Sequence, residues 1–181
     1  VIRNRALRHY LHAGGVVAYP TESCFGLGCD PLSRLGVQRI LRLKRRPQHK
    51  GLILIASNWQ QLQRFIAPLS TEQIALMNQY WPGPNTWLVP TSKKCPVWLK
   101  GRHKTIAVRV TAHSGSRKLC AQTNIALVST SANRSGGKAT RTFKACSKLF
   151  AHGAKILPGL IGKSRRPSTI RDLLTQKIIR P

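Results

Sequence analysis

Apolar positions along this chain follow two spacings. Where they recur about every 3.6 residues they predict helices, and where they run unbroken or alternate they predict strands. Residues 3 to 12 are basic, with Ala6, Leu7, Tyr10 and Leu11 on one face, which predicts a first helix stopped by Gly14-Gly15. Ser33 is placed to cap a second helix that carries Val37, Ile40, Leu41 and Leu43 and runs to about Lys44, with Pro47 disfavouring helix at Arg46. Asn58 predicts a helix over 59–66. Ser70-Thr71-Glu72-Gln73 opens another with a capping pattern, ending at Gln79 or Tyr80. Two more helices are expected over 114–123 and 142–151. The apolar runs 16–19, 52–56, 87–89, 105–110, 125–128 and 154–157 read as strands, and 168–171 and 177–180 as two final ones. Residues 20–31, 92–104 and 129–137 read as loops. Strands interleaved with helices, with no repeat and no linker, predict one α/β domain over residues 1–181, built on a twisted mixed sheet with flanking helices.

Composition adds a demand for a partner. The 181 residues are 41% hydrophobic, enough for a sizeable core, yet Lys and Arg number 31 against four acids, for a net charge of +27. Such a surplus repels itself and points to a polyanion, most naturally nucleic acid. General drift to basic composition is the bland account. Five cysteines at irregular spacing, with no CxxC pair, argue against a disulfide framework and against a zinc site, and for a reducing compartment. No apolar run is long enough to cross a membrane and no signal peptide is evident, so a cytoplasmic location is expected. The chain begins at Val1 rather than Met, consistent with a few missing or processed residues.

Three connections after helices or strands concentrate chemistry. Residues 43–51, Leu-Lys-Arg-Arg-Pro-Gln-His-Lys-Gly, set four cations between a helix and a buried strand, where a rigid frame can aim them. Alone, such a run more often reads as a solvated basic loop, since charge runs usually just face water. Residues 20–28 and 129–137 supply hydroxyls, glycines and Asn133 directly after strands. Ser131 or Asn133 is also a plausible helix cap. Gly26-Leu27-Gly28 fails as a dinucleotide fingerprint because Pro31 stands where the third glycine belongs, and residues 159–164 have too few residues between glycines for a phosphate loop. Arg109 lies inside an apolar strand, and with so few acids a ligand anion is a reasonable partner for it. Glu22 and Asp30 look structural, and neither a two-carboxylate pair nor a Ser-His-Asp set is apparent. A cleft rich in Lys, Arg, Ser and Asn suits phosphate binding and charge stabilisation in phosphoryl or nucleotidyl transfer.

Pro20-Thr21-Glu22, Lys44-x-Arg46-Pro47, Trp81-Pro82-Gly83-Pro84, Ala107-Val108-Arg109 and Ser131-Ala132-Asn133 occur in the order found in the YrdC/TsaC family, the threonylcarbamoyl-AMP synthases. The chain resembles the short, single-domain form of that family from about Tyr19 to Arg180. The resemblance implies a twisted α/β sheet with a basic concave face. It implies a reaction of L-threonine, bicarbonate and ATP, with magnesium carried by the ATP and no dedicated protein metal ligand. The product would feed threonylcarbamoyladenosine formation on tRNA through downstream transfer proteins. By the same resemblance Lys44, Arg46, Ser131 and Asn133 form a catalytic tetrad. Arg46, Lys50, Thr105, Ser131 and Arg180 would contact ATP, and Thr21, Ser23, Arg109, Ser129 and Ser168 would contact threonine. Ser23 stands where Thr is commoner, Lys50-Gly51 where many relatives have Asn-Pro, and Ile55 where longer relatives carry a threonine-contacting His.

A second expectation competes with the synthase: a non-catalytic protein on the same fold that binds tRNA or double-stranded RNA, or assists ribosome assembly. The net charge favours it. The intact set of hydroxyls beside the cations favours the enzyme. Lys93, Lys94, Lys100, Arg102 and Lys104 lie outside the matching motifs and are expected on a solvent-facing basic surface.

Overall fold

Side chains that satisfy free backbone N–H groups start most of the helices, Ser33 and Ser70 where the sequence placed caps. A computed structural model describes residues 3–181, with Lys50 described through its backbone alone. Helix α1 (Arg5–His12) is capped by Asn4, α2 (Arg34–Lys44) by Ser33, α3 (Thr71–Asn78) by the reciprocal Ser70–Gln73 capping box, and α6 (Phe143–Phe150) by Thr142. The short α4 (Val97–Lys100) and α5 (Ser114–Thr123) complete the set among the described residues. Helix α2 ends as Arg45 turns into the left-handed region at φ 51°, one residue before the position Pro47 restricts.

The strands are β1 (Val17–Pro20), β2 (Phe25–Cys29), β3 (Ile53–Ala56), β4 (Asn85–Pro90), β5 (Thr105–Val110), β6 (Leu127–Ser131), β7 (Lys155–Ile156), β8 (Thr169–Asp172) and β9 (Ile178–Arg180). They form one mixed sheet in the order β7-β1-β2-β6-β3-β5-β4-β8-β9. The pairs β1–β7, β3–β5 and β4–β8 are parallel, and the others antiparallel.

Alternation along the strands gives the sheet two unlike faces. The outer face carries Phe25, Leu27, Leu54, Trp87, Val108 and Val128 into the main core, where α2 and α6 add Val37, Ile40, Cys146 and Phe150. Part of the inner face is also apolar: Val17, Tyr19, Ile55 and Leu127 pack under Leu7 and Leu11 of α1 and Leu119 and Cys120 of α5. The same face continues past these helices without a cover, and that uncovered part forms a cavity.

Four expectations change. Residues 25–29 form a strand rather than part of a loop. Gly26 and Gly28 disguised the alternation, since Phe25, Leu27 and Cys29 point to the core and the glycines to the crowded inner face. A Cβ at Gly28 would lie 2.8 Å from the Tyr19 ring. Ser129, Thr130 and Ser131 belong to β6, paired with β2, because the side of the strand bearing Ser129 and Ser131 faces the cavity and needs no apolar residue. The helix expected over 59–66 is two 3-10 turns, Trp59–Gln61 and Gln63–Phe65. That geometry buries Leu62 and Phe65, three residues apart, before Ile66 leaves to bridge Thr91. Residues 92–104 contain α4, anchored by fully buried Leu99, whose carbonyl accepts the Leu52 N–H at 2.9 Å.

Candidate active site

The cavity, about 390 Å³, lies on the uncovered inner face. Strand register fixes its depth. Arg109 pairs with Ile55 beside the helix-covered half, Ala107 pairs with Ile53 in the middle, and Thr105 lies further out on the same face. Ser129 pairs with Ile53, and Ser131, two residues on, points the same way. Arg109 is therefore deep, and Thr105 and Ser131 are toward the mouth.

One wall is the turn between β1 and β2. Thr21 closes it, its N–H and Oγ1 both donating to the Cys24 carbonyl at 2.9 and 2.8 Å. This exposes Glu22 and Ser23 to the cavity, and Arg141 holds the Ser23 carbonyl at 2.7 Å. Glu22 accepts the Thr111 hydroxyl at 2.7 Å and Arg109 Nη2 at 3.3 Å. A ligand anion, a reasonable partner for Arg109 on sequence, would therefore share it with a protein group. A protein carboxylate 87 residues away in sequence meets one side of its guanidinium, a partner that no local pattern announces. Arg109 Nε is buried without a hydrogen-bond partner. Asp30 is structural, accepting the Leu32 N–H at 2.8 Å and pairing with His12.

Lys44 does not line the cavity. It is buried, and its ammonium donates to the Ser131 carbonyl, to the Asn133 carbonyl at 2.9 Å and to Asn133 Oδ1 at 3.1 Å. Burial, and after it the nearby Arg46 charge, lowers it to about 8. Asn133 is likewise off the cavity wall. Its amide spans the turn to the Arg134 and Gly137 carbonyls, and its Oδ1 accepts the Ser131 hydroxyl at 2.6 Å. Neither Ser131 nor Asn133 caps a helix; Thr142 does. The four residues expected as a tetrad therefore divide. Ser131 and Arg46 face the cavity, while Lys44 and Asn133 hold Ser131 in place from behind. Arg46 donates from Nη2 to the Gly51 carbonyl at 3.1 Å, and burial lowers its pKa.

The remaining expected contacts converge as well. Thr21, Ser23, Thr105, Ser129, Ser168 and Arg180 all line the cavity. Ser129 Oγ accepts the buried Tyr19 hydroxyl at 2.8 Å, and burial pushes that phenol well above its ordinary range. Ser168 pairs with Thr86 Oγ1 at 2.9 Å, while Arg180 Nη2 donates to the Ser168 carbonyl at 2.7 Å. The Lys50 side chain lies outside the described residues. Ile55 is fully buried in the helix-covered cluster and presents nothing to the cavity. Lys93, Lys94, Arg102 and Lys104 are exposed as expected, but Lys100 is half-buried and lines the cavity with His103, because α4 folds back over β5. Sequence reading also passed over Tyr19 and Arg166. Tyr19 ends a strand facing the first hydroxyl-rich loop, and Arg166 sits two residues before Ser168. Those were the available signals.

Residues 9–181 match the sequence profile of the Sua5/YciO/YrdC family, which carries the description "telomere recombination". The threonylcarbamoyl-AMP synthase of Methylobacillus flagellatus is 54% identical over 99% of this chain and all of its own length. That of Chromobacterium violaceum is 50% identical over 96% of this chain and 90% of its own. Among solved structures, P. abyssi Sua5 in complex with L-threonine superposes with a TM-score of 0.86 at 29% identity. The match covers 96% of this chain but 53% of that one, so the chain spans about half the length of that protein.

Proposed function

The chain belongs to the Sua5/YciO/YrdC family, and we propose that its cavity makes threonylcarbamoyl-AMP and pyrophosphate from L-threonine, bicarbonate and ATP. One observation carries the reading: a single cavity joins a deep cation suited to a carboxylate, Arg109, to an outer set suited to phosphates, Arg46, Lys100 and Ser131. Threonine lies inward, its carboxylate on Arg109 and its polar atoms among Ser23, Ser129 and Ser168, with Thr21 shaping the turn. ATP lies outward, against Arg46, Lys50, Thr105, Ser131 and Arg180. ATP enters as its magnesium complex, with phosphate oxygens and water as the metal's ligands.

The threonine ammonium first gives up a proton to solvent. The free amine then adds to the bicarbonate carbon, and the departing hydroxide takes one of the remaining N–H protons and leaves as water, giving a carbamate. A carbamate oxygen then attacks the α-phosphorus, and pyrophosphate leaves. No protein nucleophile is required. The chain contributes alignment of two anions that would otherwise repel, and cations placed where charge builds on the leaving group. Lys44 and Asn133 act through Ser131 as positioning residues.

In this reading the whole chain works as one domain in the cytoplasm, and the product passes to tRNA through downstream transfer proteins. The exposed cations Lys93, Lys94, Arg102 and Lys104 would meet RNA phosphates, with affinity falling steeply as salt rises. A protein that only bound RNA would have no use for hydroxyls held by buried partners such as Tyr19 and Thr86.

The test is incubation with ATP, labelled bicarbonate and L-threonine. Label should enter an acyl adenylate, with pyrophosphate released, only when all three are present. No label transfer with correctly folded protein would overturn the reading.

A further inference from the structure

Glu22 is the one carboxylate lining the cavity among the described residues; the other charged groups there, Arg46, Lys100, Arg109, Arg166 and Arg180, are cationic. Its two oxygens are engaged unequally. Oε1 is fixed by the Thr111 hydroxyl at 2.7 Å, whereas Oε2 meets Arg109 Nη2 at 3.3 Å. A charge-assisted pair ordinarily closes to about 2.7–2.9 Å. Oε2 thus keeps acceptor capacity, and the side chain retains 17% exposure against 9% for Arg109. The carboxylate is held in place but not consumed.

We propose that Glu22 and Arg109 together read an α-amino acid as a zwitterion, Arg109 taking the carboxylate and Glu22 the ammonium. This rests on the synthase reading. In an α-amino acid both charged groups are bonded to one carbon, so the cation and anion that receive them must also be neighbours. Glu22 and Arg109 are such neighbours on the cavity wall. Without Glu22, the ammonium would enter a partly buried space whose other charges all repel it, and an unpaired charge there is costly. The hydrogen bond from Thr111 keeps the carboxylate from turning fully onto Arg109. Glu22 selects amino acids over hydroxy acids and sets the amine beside the deep end of the cavity before it reacts.

The alternative role is that of a counter-ion that merely steadies Arg109. The two roles separate in calorimetric titrations of the full chain and of Glu22→Gln, which keeps an acceptor for Thr111 and removes the charge. The ligands are L-threonine, its 2,3-dihydroxybutanoate isostere with hydroxyl in place of ammonium, and ATP. Expected is a loss of L-threonine affinity of about tenfold or more in Glu22→Gln, with isostere affinity changed by less than about twofold and ATP unaffected. Equal weakening of both amino acid and isostere would assign Glu22 to Arg109 alone and overturn the proposal. So would unchanged threonine binding, or an equal loss of ATP affinity. Failure of the unaltered chain to bind L-threonine at all would instead bring down the synthase reading beneath it.

Discussion

The two halves of the inner sheet face share strands and differ in what lies over them. In β6, Leu127 packs under α1 and α5, while Ser129 and Ser131 line the open cavity. In β3 the step is from Ile55, fully buried, to Ile53 in the cavity wall. In β5 it falls at Arg109, the innermost polar side chain of the row. In β5 and β6 residue type changes where the helical cover ends, whereas β3 keeps isoleucine on both sides. The site is the stretch of face that α1 and α5 leave bare, and hydroxyls and cations join Ile53, Leu88 and Ala107 there because water or substrate can satisfy polar groups that a packed helix would leave unpaired. Tyr19 crosses the seam, with its ring in the covered cluster and its hydroxyl on Ser129.

The sharpest way to break this contrast is to substitute on each side and compare. Arg46→Ala, on the open side, should cut adenylate formation by roughly a hundredfold to a thousandfold, the usual cost of a group that stabilises transition-state charge. Its thermal unfolding should stay close to that of the unaltered chain. Retained turnover would remove the loop after α2 from the mechanism. Ile55→Ala, on the covered side, should do the reverse. It should destabilise by about 2–5 kcal/mol through the cavity it leaves under α5, seen in denaturant unfolding, while the threonine and ATP requirements of the folded fraction hold steady. A selective rise in the threonine requirement would show that Ile55 reaches the site after all.

Arg109→Leu tests the border between the halves. It should raise the threonine KM by about tenfold to a hundredfold with a far smaller effect on ATP, since a charged hydrogen bond to the substrate is lost. Equal weakening of both substrates would make Arg109 a support of the fold. Tyr19→Phe tests the seam more gently. It removes one hydroxyl donor from Ser129, worth about 1 kcal/mol, and should raise the threonine KM a fewfold.

Much of the frame was legible because helix caps and apolar runs are local signals. Ser33 and Ser70 cap helices where the sequence put caps, and the helices capped by Asn4 and Thr142 lie close to where apolar spacing put them. What escaped was set by distant packing. β2 hid behind two glycines that exist because Tyr19 and Thr21 crowd the inner face. The serines of β6 looked like a loop because their side chains face a cavity. At the site, the cationic and hydroxyl residues stand out by type, and the family resemblance named most of those that line the cavity. Which of them touch the cavity was not legible. Lys44 and Arg46 are two residues apart in one basic run, yet one is buried against β6 carbonyls and the other faces the cavity. The Glu22–Arg109 pair joins residues 87 apart, a separation that only the folded sheet closes.

Lys44 gives the subtlest test, since it serves the open half from outside it. Burial lowers it to about 8, from an ordinary value of 10.5. Between those values the unfolded chain binds more protons than the folded one, so this group makes stability rise with pH across about 8 to 10.5. Its effect on the site has the opposite sign. The charged ammonium has three protons for three acceptors, the Ser131 and Asn133 carbonyls and Asn133 Oδ1. The neutral amine has two and must release one of them. As pH passes through about 8, the hold on Ser131 loosens, and the ATP KM should rise a fewfold while the unfolding free energy climbs. Both trends should be measured on the same samples, from about pH 7 to pH 9.5, beside Lys44→Met. That variant should bind ATP weakly throughout and lose the component of each trend that belongs to this lysine. If the fewfold rise in ATP KM persists in Lys44→Met, another group is titrating, and the assignment of Lys44 as the charged clamp behind Ser131 fails.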